Sequence, residues 1–154
     1  SETKPKNEYG KTKLKIEKMI KFYFDNYFIL RISKIYSKNL NEKTFLKEHI
    51  DKLKLGFTVS LFEDNRYHYT NINFLIRVIR NLIYFKKKTV GIFNLPYGAT
   101  LSRYQFIKNY LIKSKKIKYI KKIKNISIKQ SKIRLPKNLY LKTRLFKKYK
   151  HLIK

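Results

Sequence analysis

Apolar and polar positions along the chain set out a series of short elements. Residues 1–15 are polar, carry Pro5 and Gly10, and read as an extended arm. Ile20 to Tyr36 is dense in aromatic and β-branched residues around Asp25-Asn26. Two residues that tolerate positive φ between such runs predict a hairpin, with a buried helix as the competing reading. Asn39 or Asn41 can cap a helix in which Leu46, Ile50 and Leu53 share one face, and Gly56 stands where a left-handed residue ends it. Phe57, Val59 and Leu61 then alternate with Thr58 and Ser60, the period of a strand.

The clearest helix follows. Leu75, Val78, Leu82 and Phe85 form an apolar stripe, Asn71 or Asn73 can cap its start, and three lysines complement the dipole at its end. "TVGIFNLPYG" reads as a strand running into a turn at Pro96, and "RYQFI" as the next strand. Ile117, Ile120, Ile123 and Ile126 recur every third residue, which drifts around an α-helix and makes no seam, so this stretch is expected to be an irregular β-arm. Pro136 suits a helix N-terminus, and "KHLIK" a closing strand.

Charge changes the picture. The formal net charge is +30 over 154 residues, and all nine acids lie within the first 64. From Asn65 onward 25 Lys and Arg stand without one carboxylate. A solvated surface mixes signs, so this half calls for a polyanion. Ile112 to Lys129, with eight lysines interleaved with isoleucine, would turn ammonium groups to one side of a strand and apolar groups to the other.

Candidate chemistry is sparse. There is no cysteine, and His49, His68 and His151 lack metal-ligand spacing. Glu63-Asp64 is an adjacent acid pair best read as turn residues. Gly10, Gly56, Gly91 and Gly98 are too dispersed for a phosphate loop. The longest run free of charge, 89–102, is broken by Pro96 and too short to span a bilayer. No catalytic residue, metal or cofactor is expected.

From Leu55 the predicted order is strand, helix, strand, strand, helix, strand, which two helices on an antiparallel sheet would close as an α+β, split β-α-β (ferredoxin-like) domain. In "NFLIRVIRNLIYFKKKTVGIFNLP", Gly91, Leu95 and Pro96 follow a helix and a basic turn. "RYQFI" starts at Arg103, and Pro136-Lys137 precedes Arg144-Leu145 by eight residues. In these motifs Leu55–Lys154 resembles the universal small-subunit ribosomal protein number ten family. Asn109-Tyr110-Leu111 departs from the Ser-Pro-His of that family. The resemblance implies a non-catalytic, structural role in translation, in the head of the small subunit, with a mitochondrial ribosome as preferred home. It makes 1–54 an N-terminal extension and 55–154 an RNA-binding domain with a long basic hairpin at about 89–130. The partners implied are ribosomal RNA and neighbouring small-subunit proteins, without membrane or small-molecule substrate. Candidate phosphate contacts are Lys86, Lys87, Lys88, Arg103, Lys108, Lys113, Lys115, Lys116, Lys118, Lys121, Lys122 and Lys124. A cationic membrane-surface protein and another organellar ribosomal protein are the alternatives.

Overall fold

The first helix begins inside the stretch that reads as a polar arm. The computed structural model describes residues 5, 7–41, 43–84, 91–130, 138–139 and 141. α1 (Glu8–Tyr23) is capped by Asn7, whose side chain accepts from the Gly10 N–H at 2.9 Å. Position 10 has little room for a side chain because the capping segment folds back on the first turn. A Cβ there would stand 3.0 Å from Pro5 Cβ and 3.2 Å from Asn7 Oδ1. The arm is therefore helix from Glu8, and the hairpin expected around Asp25-Asn26 is a helix, a turn and a strand.

β1 (Phe28–Arg31) and β2 (Lys34–Tyr36) follow. Arg31 donates from Nε and Nη2 to both carboxylate oxygens of Glu17 at 2.7 and 2.5 Å, pegging α1 alongside β1. α2 (Phe45–Lys54) starts at Thr44 rather than at an asparagine. Leu46, Ile50 and Leu53 are fully buried on its inner face, and Gly56 takes φ +94° just past its end, both as expected. Each such side chain removed from water contributes about 1.5–3 kcal/mol. β3 (Val59–Phe62) buries Val59 and Leu61 but leaves Phe57 outside it and exposed. β4 (Arg66–Asn71) leads directly into α3 (Ile72–Ile83), capped by Asn71 and burying Phe74, Leu75 and Val78. β5 (Gly91–Asn94) and β6 (Thr100–Ser102) come next.

The sheets overturn the ferredoxin-like expectation. β1 pairs with β5 in parallel, β2 with β4 in parallel, and β3 with β7 (Ile123–Ile126) in parallel. Among the described residues only β4 and β6 run antiparallel, and β8 (Asn138–Leu139) adds a parallel bridge to β4. Parallel neighbours need crossovers that carry helices, so this is an α/β arrangement. Within residues 1–54, β1 and β2 pair with β5 and β4, far along the chain.

The long basic hairpin is absent because its outgoing strand is a helix. α4 (Arg103–Lys113) opens with a capping box: Ser102 Oγ accepts from the Gln105 N–H at 3.0 Å, and Gln105 Oε1 accepts from the Ser102 N–H at 3.1 Å. Phe106, Ile107 and Leu111 recur at helical spacing and are buried. Beyond Lys115, at φ +55°, Ile117 and Ile120 fall on a 3₁₀ helix, Ile117–Lys122, whose three residues per turn match their spacing, while Ile123 and Ile126 lie on β7. Pro136 and "KHLIK" lie outside the described residues.

Two apolar clusters result. One joins α2, β3, β4, α4 and β7; the other joins α3 and β5, with β1 packed against it.

Candidate functional site

In an open parallel sheet the ligand crevice lies beyond the carboxyl ends of the strands. Past the end of β1 the chain turns into Lys34, which faces Tyr69 in the β2–β4 register. Lys34 and Tyr69, with Phe45, Glu48 and His49 from the first turns of α2 and Arg103 from the start of α4, line a cavity of about 300 Å³. Aromatic packing makes one wall rigid. Tyr69 stacks on Phe106 with ring centroids 3.9 Å apart, and Phe45 lies 5.6 Å from Tyr69.

The cations of this cavity crowd one another. Lys34 Nζ stands 5.4 Å and Arg103 Cζ 5.8 Å from the centroid of the Tyr67 ring. Burial, then the nearby Arg103 charge, push the Lys34 ammonium below the usual lysine range. Glu48 lines the cavity, but its carboxylate is taken by Lys52 Nζ at 2.7 Å, which with the neighbouring charge holds it below the usual carboxylate range. The Tyr69 phenol is pushed up by burial, and its oxygen has no hydrogen-bond partner among the described residues.

His49 is held below the usual histidine range by burial, and its Nδ1 lies 2.6 Å from the Phe45 carbonyl oxygen. The folded state therefore favours the neutral ring. As pH falls below about 6.5, the unfolded chain takes up the proton first, so the His49 contribution to stability is present at neutral pH and lost in acid. The denaturation midpoint should fall between pH 7 and pH 5, and His49→Gln should flatten that dependence. An equally steep fall in the variant would show that other groups set it.

A second feature lies on α1. Tyr9 is 72 % exposed on the first turn, and Lys13, one turn on, holds Nζ 5.4 Å from its ring centroid. α1 runs antiparallel to β1 after a short turn and is pegged to it at Glu17–Arg31. Tyr9 and Lys13 lie two turns and one turn before Glu17 on the same helix.

Of the basic residues singled out from sequence, Arg103 alone lines the cavity. Lys108, on α4, places Nζ 5.7 Å from the Tyr104 ring centroid, and Lys113 is exposed at the helix end. Lys115 and Lys116 lie in the following turn, Lys118, Lys121 and Lys122 on the 3₁₀ helix, and Lys124 on β7. They form no single row. Lys86, Lys87 and Lys88 fall outside the described residues. Glu63 and Asp64 serve as local braces: Glu63 accepts from Asn125 Nδ2 at 2.5 Å, and Asp64 from Ser127 Oγ at 2.6 Å and the Ile128 N–H at 2.8 Å.

Sequence reasoning missed Tyr9, Lys13, Lys34 and the cavity. The signal for the first two is the spacing in "EYGKTK", which puts them on one helical face once Asn7 is recognised as a cap. Lys34 and the cavity walls carry no such signal, because residues distant in sequence converge only through parallel pairing.

The sequence model of the RmlD substrate binding domain matches residues 1–153. Among solved structures, the dTDP-4-dehydrorhamnose reductase of Bacillus anthracis in complex with NADP superposes with TM-score 0.82 at 22 % identity, over 97 % of this chain and 51 % of that one. The orthologue from Clostridium acetobutylicum gives 0.78 at 24 % identity, over 92 % and 49 %. WbmG of Bordetella bronchiseptica, in complex with NAD and UDP, gives 0.69 at 14 % identity, over 99 % and 45 %. The chain spans about half the length of these relatives, and its fold is Rossmann-like. No curated protein matches it. The matches overturn the ribosomal assignment, and with it the non-catalytic role in translation and the ribosomal RNA and ribosomal-protein partners without a small-molecule substrate. The helix and the strand from Gly91 that carried the resemblance are α3 and β5, elements that any α/β protein can contain, and the basic turn between them lies outside the described residues.

Proposed function

Because the chain belongs to the RmlD substrate binding domain family, we propose that it holds the sugar nucleotide in a reductase acting on a keto sugar, with Tyr9 as proton donor to the carbonyl oxygen. The observation that carries this is the Tyr9–Lys13 pair, an exposed phenol with an ammonium beside its ring on the first turns of α1. A carbonyl reduced to an alcohol takes a hydride at carbon, which the nicotinamide of a reduced NAD(P) would supply, and one proton at oxygen. Tyr9 offers an exposed hydroxyl on the positive end of a helix, and Lys13 adds an ammonium beside the ring. Negative charge left on the phenol oxygen as the proton departs is met from both. The nucleotide and sugar extend into the cavity, where Phe45 and the Tyr69–Phe106 stack supply flat apolar walls.

The similar structures carry NADP or NAD. A dinucleotide pyrophosphate is held on a Gly-rich turn between a strand and a helix N-terminus. The four glycines of this sequence form no such turn. The described residues therefore offer no Gly-rich seat for the dinucleotide pyrophosphate.

The reading is tested by NMR on the 15N-labelled chain with the alcohol product of dTDP-4-dehydrorhamnose reduction. Shifts in the first two turns of α1 that dTDP alone does not produce are expected. Shifts confined to the exposed lysines, identical for both ligands, would refute it.

A further inference from the structure

We propose that Lys34, Arg103 and the Tyr69 hydroxyl form an oxyanion subsite inside the cavity, built to take a phosphate or carboxylate group of the ligand. The proposal deepens the reading above by naming what this chain's own side chains recognise.

Three observations converge on it. First, Lys34 and Arg103 approach the same Tyr67 ring, at 5.4 and 5.8 Å, from β2 and α4. Two half-buried like charges repel, and the ring quadrupole offsets only part of that cost. The depressed proton affinity of Lys34, caused by burial and by Arg103, records the strain. No carboxylate among the described residues is ion-paired to either. Glu48, the acid of the cavity wall, is mostly exposed and bound to Lys52. His49 is favoured neutral and adds no charge to balance.

Second, the Tyr69 hydroxyl is buried on a residue only 5 % exposed, with no partner among the described residues. A buried hydroxyl without a partner is costly, and a ligand oxygen in the cavity would accept from it. Third, the cavity of about 300 Å³ lined by these groups has room for such an anion and part of the molecule that carries it. Two cations and a phenol O–H supply donors only. Arg103 can engage two oxygens of one group while Lys34 acts as a point charge.

The high net charge makes any anion bind weakly everywhere, so the test must separate site from surface. Inorganic pyrophosphate and, separately, glucuronate are titrated calorimetrically into the full chain at 0.15 M salt. The same titrations use Lys34→Gln, Arg103→Gln and Tyr69→Phe, and a Lys118→Gln/Lys121→Gln control that removes two exposed charges. Saturable binding of either anion is expected, weakened about tenfold or more by each cation variant and several-fold by Tyr69→Phe, with less than a twofold change in the control. Tyr69→Phe keeps the stacked ring, so it reports on the hydroxyl even if a cation variant unfolds. Equal weakening by the control, or no saturable binding of either anion, overturns the subsite.

The arms also separate this inference from the functional reading. Anion binding that follows the cavity variants, without competition from a dTDP-sugar, keeps the subsite and removes the sugar-nucleotide reading. Binding of a dTDP-sugar that ignores all three variants does the reverse.

Discussion

Tyr9→Phe should abolish most turnover while leaving the fold and the affinity for sugar nucleotide nearly intact. In an assembly competent to reduce a keto sugar nucleotide, loss of a general acid is expected to lower kcat by about 10²–10⁴-fold. That is about 3–5 kcal/mol of transition-state stabilisation. The substitution removes one exposed oxygen from a residue that packs little, so no stability loss should confuse the result. KM should hold, because the cavity residues that grip the ligand lie on β2, β4, α2 and α4. Lys13→Met should act in the same direction. Lys11→Met, which loses only the exposed pair with Glu8 at 2.6 Å, should not. A Tyr9→Phe enzyme within threefold of the parent rate would remove Tyr9 from the chemistry and leave the proton donor to be sought elsewhere.

The tyrosine escaped sequence reading for a physical reason that recurs through the chain. Local signals were legible where one helix face or one cap decides the structure. Leu46, Ile50 and Leu53 on α2, the Asn71 cap of α3 and the left-handed Gly56 are all visible from spacing alone. Positions whose meaning depends on a partner far along the chain were not. Gly10 looks like a breaker until Pro5 and Asn7 are seen to crowd it. β3 and β7 lie about sixty residues apart and pair in parallel, yet no turn signal joins them, so each half reads as a piece of some antiparallel meander. The same blindness hid the cavity, which exists because β2 lies against β4 and so brings Lys34 to Tyr69. Charge misled more actively. An acid-free half does imply an attraction for anions, but charge is silent on whether the anion is a polymer or a small ligand.

The error in α4 can be tested by stability alone. Leu111→Ala should cost about 2–5 kcal/mol, because Leu111 is fully buried with Ile107 in the cluster formed with β3 and β7. Asn109→Ala should be neutral or slightly stabilising, within about 0.5 kcal/mol, since Asn109 is exposed and alanine is the better helix former. On the outgoing strand of a hairpin, residues 107, 109 and 111 would share a face, and truncating the middle one would matter as much as its neighbours. On a helix, 107 and 111 lie one turn apart with 109 on the far side, and Phe106 can be buried beside Ile107 as it is here. Chemical denaturation of the two variants therefore separates the geometries. A large Leu111 effect beside a silent Asn109 supports the helix, and comparable losses at both would restore the strand. With total stability of a domain this size about 5–15 kcal/mol, the Leu111 variant is expected to lose a large share of its folding free energy. Since Arg103 lines the cavity from the first turn of this same helix, loosening α4 should also weaken anion binding there, whereas Asn109→Ala should leave it unchanged.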